Sequence, residues 1–505
     1  MTNNLADSSM EVVASAWRKY AATIIPYYKH ICCTNFSINS PLGVLSAVEI
    51  LALTILAIVA LIINIAQEYS ASGKFNTQIM FVGIIIGFKN NIMNLVLGIS
   101  FERALYLHKC LFTISWMMTF IHGIPQLVGF KFAGSDLSNV RVNGLVLFVL
   151  MTVQLILYYV VKTMSFELFF YMHIATYGAI IYMAIRHEAK LIAFSLLFMA
   201  ADLIVRFFIK GKRVTVQLQS LNKSKVTCLK FKKLFHYEAG QYAFVMIPSL
   251  GIHQYHPFTI SSIPSSDDMT MHIKALGDWT KALNNMSFKD NAEVTCFIEG
   301  PFGRPMMDPF NDSSYKVYIL LCGGIGMTPI QAWANHLLHL HASKKKVITK
   351  IYYVWSMRED MTQLLNELVA TKMLPLSTSS EMLALPASQD VEGGDGAAYS
   401  KVRSEVTPGN VLDTGIYITG VSGDVAEKNI REGIDPLARD CVNFKRPNLP
   451  KIFDKASLLA STSHQSRVLV AACGPPSLID DAVKLCKVKS GKGVNFDLHT
   501  EIFNY

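Results

Sequence analysis

Residues 106–130 read YLHKCLFTISWMMTFIHGIPQLVGF, and residues 167–187 read ELFFYMHIATYGAIIYMAIRH. Both stretches are apolar. Each carries two histidines, His108 with His122 and His173 with His187, at the same spacing of 14 residues. A helix turns about 100° per residue, so 14 residues cover about 1400°, roughly 40° short of four turns. The two histidines of each stretch therefore share a helix face, about 21 Å apart along the axis. That makes two levels within a bilayer core of about 30 Å. Two such helices running the same way would set His108 against His173 and His122 against His187. Each opposed pair suits the axial ligation of one haem iron. A buried histidine bonded to a neighbouring helix is the plainer alternative for any one of them. The repeated spacing, and the cost of ionisable groups at membrane depth, favour ligation.

The chain around these stretches has 505 residues, 51% hydrophobic and 16% charged, which is apolar for a soluble protein and long for one domain. The excess is concentrated in residues 43–209. They read as a six-helix transmembrane bundle with spans at about 43–65, 78–99, 106–130, 143–161, 167–187 and 190–209. An even count puts both ends on one side, and the loop Lys and Arg residues favour the cytoplasm for that side. Residues 1–42 read as a cytosolic segment with no signal peptide. The net charge of +9 includes Lys210, Lys212 and Arg213 beside the last span. That is membrane-flanking charge, a partner for lipid and not a nucleic-acid footprint. Nine cysteines, an odd number without metal-type spacing, imply no disulfide framework. Lys89, Asn90 and Asn91 fall within the second span, where Lys89 would need a partner such as a haem propionate or would snorkel to the interface.

From about residue 212 the apolar period becomes two. Val214–Leu221, Val226–Lys233, Tyr242–Pro248, His256–Ser262, Met269–Leu276 and Glu293–Glu299 read as short strands, and residues 212–308 as an antiparallel β-barrel. Three motifs stand within it: His256-Pro-Phe-Thr-Ile-Ser-Ser262, Gly277-Asp-Trp-Thr280 opening a helix, and Gly300-Pro-Phe-Gly303. Residues 314–505 alternate strand and helix, as a doubly wound α/β domain does. Strands are expected at Tyr315–Cys322, Lys350–Met357, Gly415–Val421 and Val468–Ala472. The first leads into Gly323-Gly-Ile-Gly-Met-Thr-Pro329 and a helix, which puts glycines and a helix N-terminus where a pyrophosphate could sit. The last ends in Cys473-Gly-Pro-Pro476. Residues 374–412, rich in Ser, Gly, Asp and Pro, read as a disordered insertion.

The ordered series His-Pro-Phe-Thr, Gly-Asp-Trp-Thr, Gly-Pro-Phe-Gly, Gly-Gly-Ile-Gly-Met-Thr-Pro and Cys-Gly-Pro-Pro resembles ferredoxin–NADP reductase-type flavoproteins. Behind six spans with two spaced histidine pairs, it resembles the ferric reductase and NADPH oxidase superfamily, transmembrane flavocytochromes b, over about residues 43–505. The resemblance implies two b-type haems, FAD and NADPH. It implies that His256, Pro257, Phe258 and Thr259 hold FAD, with Ser261, Ser262, Gly300 and Gly303 beside them and the Thr259 hydroxyl near the ring edge. Gly277, Trp279 and Thr280 would place backbone amides on the FAD pyrophosphate. Gly323, Gly324, Gly326, Thr328 and Pro329 would hold the nicotinamide dinucleotide. Cys473, Gly474 and Pro475 would lie beside the nicotinamide, and Arg358 would meet the 2′-phosphate of NADPH. Phe503, or Tyr505 beyond it, would cover the flavin ring. Solvated charge is the plainer role for Arg358, and strand-end packing for Cys473.

Together these parts imply an oxidoreductase moving electrons from cytosolic NADPH through FAD and two haems to an acceptor across a membrane, with the plasma membrane as the expected site. Only Glu188-Ala-Lys190 or so joins the fifth and sixth spans, whereas the NADPH oxidases it resembles carry a long loop there. A haem edge open beside Lys131, Arg141, Arg186 and Lys190 would suit an anionic ferric chelate. The sequence thus favours a ferric-chelate reductase, with oxygen reduced to superoxide as the alternative.

Overall fold

Long runs of Leu, Ile, Val and Phe can satisfy their backbone polar groups in hydrocarbon only as helices or closed barrels. The first half of the chain takes the helical solution. The computed structural model describes residues 37–40, 43–66, 69–91, 101–127, 139–251, 254–288, 292–303, 308–376, 411–421, 423–491 and 493–501. The chain divides into two compact units, up to Ile209 and Lys210–Asn504.

The first unit opens with an antiparallel pair, β1 (Ser37–Ser40) and β2 (Gly43–Ser46). The longer helices among the described residues follow: α1 (Ala47–Ala66), α2 (Tyr69–Ile86), α3 (Phe101–Leu127), α4 (Val140–Ile156), α5 (Phe166–Arg186) and α6 (Ser195–Ile204). The break before α5 is made by Ser165, extended at φ −151°, whose hydroxyl accepts from the Leu168 amide at 3.3 Å. Met80, Leu147, Met151, Ile180, Ile181 and Met183 form the buried core of the bundle. Ile55, Ile58, Ile62 and Ile65 of α1 stay exposed, as lipid-facing side chains would.

Among the described residues, four helices are long and apolar enough to cross a membrane: Phe101–Gln126, Val140–Met164, Phe166–Arg186 and Lys190–Lys210. Ile50–Ala66 is a shorter apolar helix. Six spans were expected, and the main difference lies at the second. Its helix occupies Tyr69–Ile86 instead of 78–99, and residues 92–100 lie outside the described set. Lys89 and Asn90 stand in a turn beyond the end of α2 rather than within a span. The backbone and side-chain amides of Asn90 both donate to Asp202 Oδ1 at 2.8 Å, which ties this turn to α6. The polar run therefore ends a helix.

The second unit holds two six-stranded sheets. The antiparallel one comprises β3 (Gly211–Leu221), β4 (Val226–Lys232), β5 (Tyr242–Met246), β6 (His256–Thr259), β7 (Asp268–Lys274) and β8 (Glu293–Phe302). Its order is β6-β5-β8-β3-β4-β7. The two edge strands approach each other where the Ser261 amide donates to Thr270 O at 2.8 Å, so the sheet curls towards a barrel. Helix α7 (Asp278–Met286) packs Trp279 and Leu283 into its core.

The parallel sheet runs β12-β11-β10-β9-β13-β14. Its members are β9 (Val317–Gly323), β10 (Lys350–Met357), β11 (Leu412–Ile418), β12 (Val442–Asn443), β13 (Arg467–Cys473) and β14 (Asn495–Glu501). Helices α8 (Met327–Ala342), α9 (Thr362–Ala370), α10 (Asp424–Glu432), α11 (Leu449–Thr462) and α12 (Pro476–Lys489) connect them. The chain winds outward from β9 in both directions, so the switch point lies between β9 and β13, where ligands enter such sheets. Most of the expected insertion, residues 377–410, lies outside the described residues. Its edges are anchored: Leu374 and Leu376 are buried, and Leu412 opens β11.

Phe453 of α11 is fully buried against Phe496 of β14, ring centroids 5.1 Å apart. Phe453→Ala is expected to cost about 3–5 kcal/mol. A lowered urea midpoint for the second unit, with the first unit's transition unchanged, would be the readout.

Candidate functional site

All four histidines of the bundle are held in the same way. His108 Nδ1 lies 2.6 Å from Gly83 O, His173 Nδ1 2.6 Å from Gln154 Oε1, and His187 Nδ1 2.8 Å from Val140 O. His122 Nδ1 lies 2.8 Å from the Ser72 hydroxyl. Three of these partners are carbonyl oxygens, which only accept, so there the proton sits on Nδ1 and the lone pair on Nε2. This is how ligating imidazoles are oriented by a second bond. Gln154 is itself fixed, its Nε2 donating to His173 O at 3.0 Å.

The contacts also give helix directions. α2 meets His122 near its start, at Ser72 and Gly73, and His108 near its end, at Gly83 and Gly87. α4 meets His187 at Val140 and Gly144 and His173 at Gln154. The His108 and His173 rings stand 6.3 Å apart, centre to centre, at 78°. Two metal–imidazole bonds of roughly 2 Å each, with the ring radii added, span about that distance. The structure thus brings His108 and His173 together, and that pair could hold a haem iron, while His122 and His187 are each aimed by a neighbouring helix. Gly87 and Gly144 matter here: a Cβ would come 2.9 Å from His108 Nδ1 and 2.5 Å from His187 Cε1.

In the second unit, strand pairing sets His256 opposite Val245, Pro257 opposite Phe244, Phe258 opposite Ala243 and Thr259 opposite Tyr242. The Trp279 ring lies 4.6 Å from that of His256 and stacks on Phe258 at 5.7 Å. Two buried polar atoms here, His256 Nε2 and Trp279 Nε1, have no hydrogen-bond partner. Buried donors and acceptors are rarely left so, which marks a place for a polar ligand. Burial holds the His256 imidazole below its ordinary pKa, in the neutral form.

At the start of α7, Thr280 Oγ1 accepts from the amides of Leu276 and Gly277 at 2.9 and 3.0 Å. The amides of Asp278, Trp279 and Thr280 have no acceptor within the helix, which suits a phosphate. Nothing lies within 4 Å of a Cβ built on Gly277, so room exists for one. The other expected residues stand differently. Ser261 Oγ donates to Thr270 O at 3.0 Å and meets His272 Nδ1 at 2.8 Å. Ser262 Oγ meets the Tyr237 hydroxyl at 2.9 Å. Both hydroxyls are engaged inside the barrel. Gly300 and Gly303 are required by packing, since a Cβ would come within 2.8 Å of Ala243 and 3.0 Å of Tyr242.

At the switch point, Cys473 lies directly across from Cys322. A Cβ on Gly323 would come 2.5 Å from Pro475 Cδ, and one on Gly326 2.6 Å from Cys473 O. These glycines let the β9 and β13 turns pack together. Gly474 approaches the Gly323 backbone in the same way. Gly324 differs: φ is +54° and nothing lies within 4 Å of a Cβ there, which leaves space beside it. Thr328 and Pro329 are buried at the start of α8. Arg358 is exposed just after β10, and no ion pair engages it among the described residues. Phe503 and Tyr505 lie outside the described residues.

Cys473 is 3% exposed. Burial, with Glu501 and Cys322 nearby, pushes its thiol well up. It is therefore a neutral thiol near pH 7, unsuited to nucleophilic work. Iodoacetamide at pH 7.5 is expected to modify Cys473 more than about tenfold slower than a free cysteine, as read by peptide mass spectrometry. Labelling at the free rate would show a thiolate.

Three family models match the chain: the ferric reductase like transmembrane component over residues 72–184, an FAD-binding domain over 208–306, and the ferric reductase NAD binding domain over 315–487. Respiratory burst oxidase homolog protein A of Solanum tuberosum is 28% identical over 62% of this chain and 36% of its own length. NADPH oxidase 1 of Rattus norvegicus is 27% identical over 59% of this chain and 50% of its own. The chain thus spans about a third to a half of these relatives. A ferredoxin NADP+ reductase from Neisseria gonorrhoeae with bound FAD and NADP covers 57% of this chain and 98% of its own at 13% identity, TM-score 0.34, too loose a likeness to bear on the fold.

Proposed function

This chain belongs to the ferric reductase and NADPH oxidase superfamily, and on that premise we propose that it carries electrons from cytosolic NADPH across a membrane to molecular oxygen. The reading rests most on one observation: four histidines on two helices, each held through Nδ1, with His108 and His173 6.3 Å apart. We assign His108 and His173 to one b-type haem and His122 and His187 to a second. FAD, when bound, takes a hydride from NADPH and releases single electrons, as haem iron requires.

The residues then have defined tasks. His256 Nε2 and Trp279 Nε1 offer buried hydrogen bonds to the flavin, and Thr259 closes the strand beside it. The first turn of α7 holds the FAD pyrophosphate. Gly324 and the start of α8 hold the NADPH pyrophosphate, with Arg358 on its 2′-phosphate. Cys473, Gly474 and Pro475 shape the wall beside the nicotinamide, and Phe503 covers the flavin. With α1 and α2 as further spans the bundle crosses six times, leaving both termini in the cytoplasm, with the plasma membrane as its site.

The relatives and the geometry bear on the acceptor in opposite directions, and the relatives carry the assignment. Oxidases among the relatives, from potato and rat, favour oxygen over the ferric chelate expected from the sequence. The ferric-chelate reading keeps one supporting observation. α5 ends at Arg186 and the next helical run starts at Lys190, with Glu188 and Lys190 paired at 2.8 Å, so the connection is short. His122 and His187 would both be engaged in holding the second haem, so the acceptor would take electrons without binding to its iron.

Membranes given NADPH and offered air and ferric citrate together are expected to form superoxide as the main product. Flux dominated by ferrous iron would return the assignment to ferric-chelate reduction. His108→Ala and His122→Ala are each expected to lower the haem-to-flavin ratio from two to about one, since one lost axial ligand frees one iron. An unchanged ratio in both would remove the haem assignment.

A further inference from the structure

Cys228 of β4 and His272 of β7 are directly opposed in an antiparallel pair, so their side chains leave the sheet on one face. Helix α9 brings Glu367 to that face. The sulfur, an imidazole nitrogen and a carboxylate oxygen lie within 4.8 Å of one another. His272 Nε2 and Glu367 Oε2 are 3.4 Å apart, on side chains 0% and 9% exposed, and neither atom has a hydrogen-bond partner.

The hydrogen bonds around His272 fix its chemistry. Ser261 Oγ donates to Thr270 O at 3.0 Å, so it accepts from His272 Nδ1 at 2.8 Å. The Nε2 lone pair of a neutral ring then faces a carboxylate, an arrangement that needs a cation between them. A shared proton would draw the atoms to roughly 2.7–2.9 Å. Two ligand bonds of roughly 2.0–2.1 Å at the tetrahedral angle instead place their donors roughly 3.3 Å apart. Thiolate, imidazole and carboxylate together are also the donor set that zinc takes.

We propose that Cys228, His272 and Glu367 bind one zinc-class divalent ion, which ties α9 to barrel strands β4 and β7 and leaves a fourth position for water. Thiolate and carboxylate neutralise the ion, and the Ser261 hydroxyl orients the imidazole. The competing state is metal-free. In it, burial disfavours the charge, but Cys228 and Glu367 outweigh burial and raise the imidazole to about 10.

The test uses the full-length, tag-free protein with its cofactors, stripped by chelator and dialysed against Zn2+. Elemental analysis is expected to give about one zinc per chain, and X-ray absorption at the zinc edge one sulfur at roughly 2.3 Å with nitrogen and oxygen at roughly 2.0 Å. Cys228→Ser and Glu367→Gln should each weaken zinc at least about 10–100-fold. Cys296→Ser, a buried barrel cysteine outside the cluster, should not. Flavin content reports folding of each variant, and Glu367→Gln decides if Cys228→Ser does not fold. Zinc well below one per chain, a shell without sulfur, or equal binding in folded variants would overturn the site in favour of the imidazolium–carboxylate pair.

Discussion

The bundle depends on satisfying the second nitrogen of each half-buried imidazole. In a hydrocarbon setting an unpaired N–H is costly, and a ring with both nitrogens loose would not hold a fixed aim. α2 and α4 supply the partners: Ser72 and Gly83 O from one, Val140 O and Gln154 from the other. At the end of α2 the Gly87 amide bonds Ile84 O at 3.0 Å, one residue short of the helical partner. That tightening releases Gly83 O to accept from His108. The end of a helix and the aim of a ligand are thus one structural event, and Gly87 is small because the imidazole lies against it.

This explains why the sequence showed the histidines clearly and α2 poorly. Spacing alone placed four rings on two helices, because helical periodicity is local and strong. The bounds of α2 depend on tertiary partners. Asn90 reads as an intrusion in an apolar run until Asp202, more than a hundred residues later, is found accepting from it. The strands of both sheets were legible from alternation and from unbroken apolar runs. β12 and β14 were not: β12 is only Val442–Asn443, and NFDLHTE mixes charge with apolar residues and is held by β13.

Glycines were legible as a class but not in their reasons. Gly300, Gly303, Gly323 and Gly326 answer to neighbouring protein atoms, whereas Gly277 and Gly324 face open space. Only the second pair marks room for phosphates. Ser261 and Ser262 show the same limit, their hydroxyls turned inward by Thr270, His272 and Tyr237. The Cys228, His272 and Glu367 cluster has no sequence spacing to read, because strand register and a distant helix assemble it.

The central claim is that the histidine-bearing bundle and the dinucleotide-binding unit form one electron path. An anaerobic visible spectrum tests it most directly: protein purified in detergent with haem and FAD, recorded before and after NADPH, then after air is admitted. The account predicts haem bands that reduce with NADPH and reoxidise in air. Flavin that bleaches while the haem bands stay oxidised would contradict it.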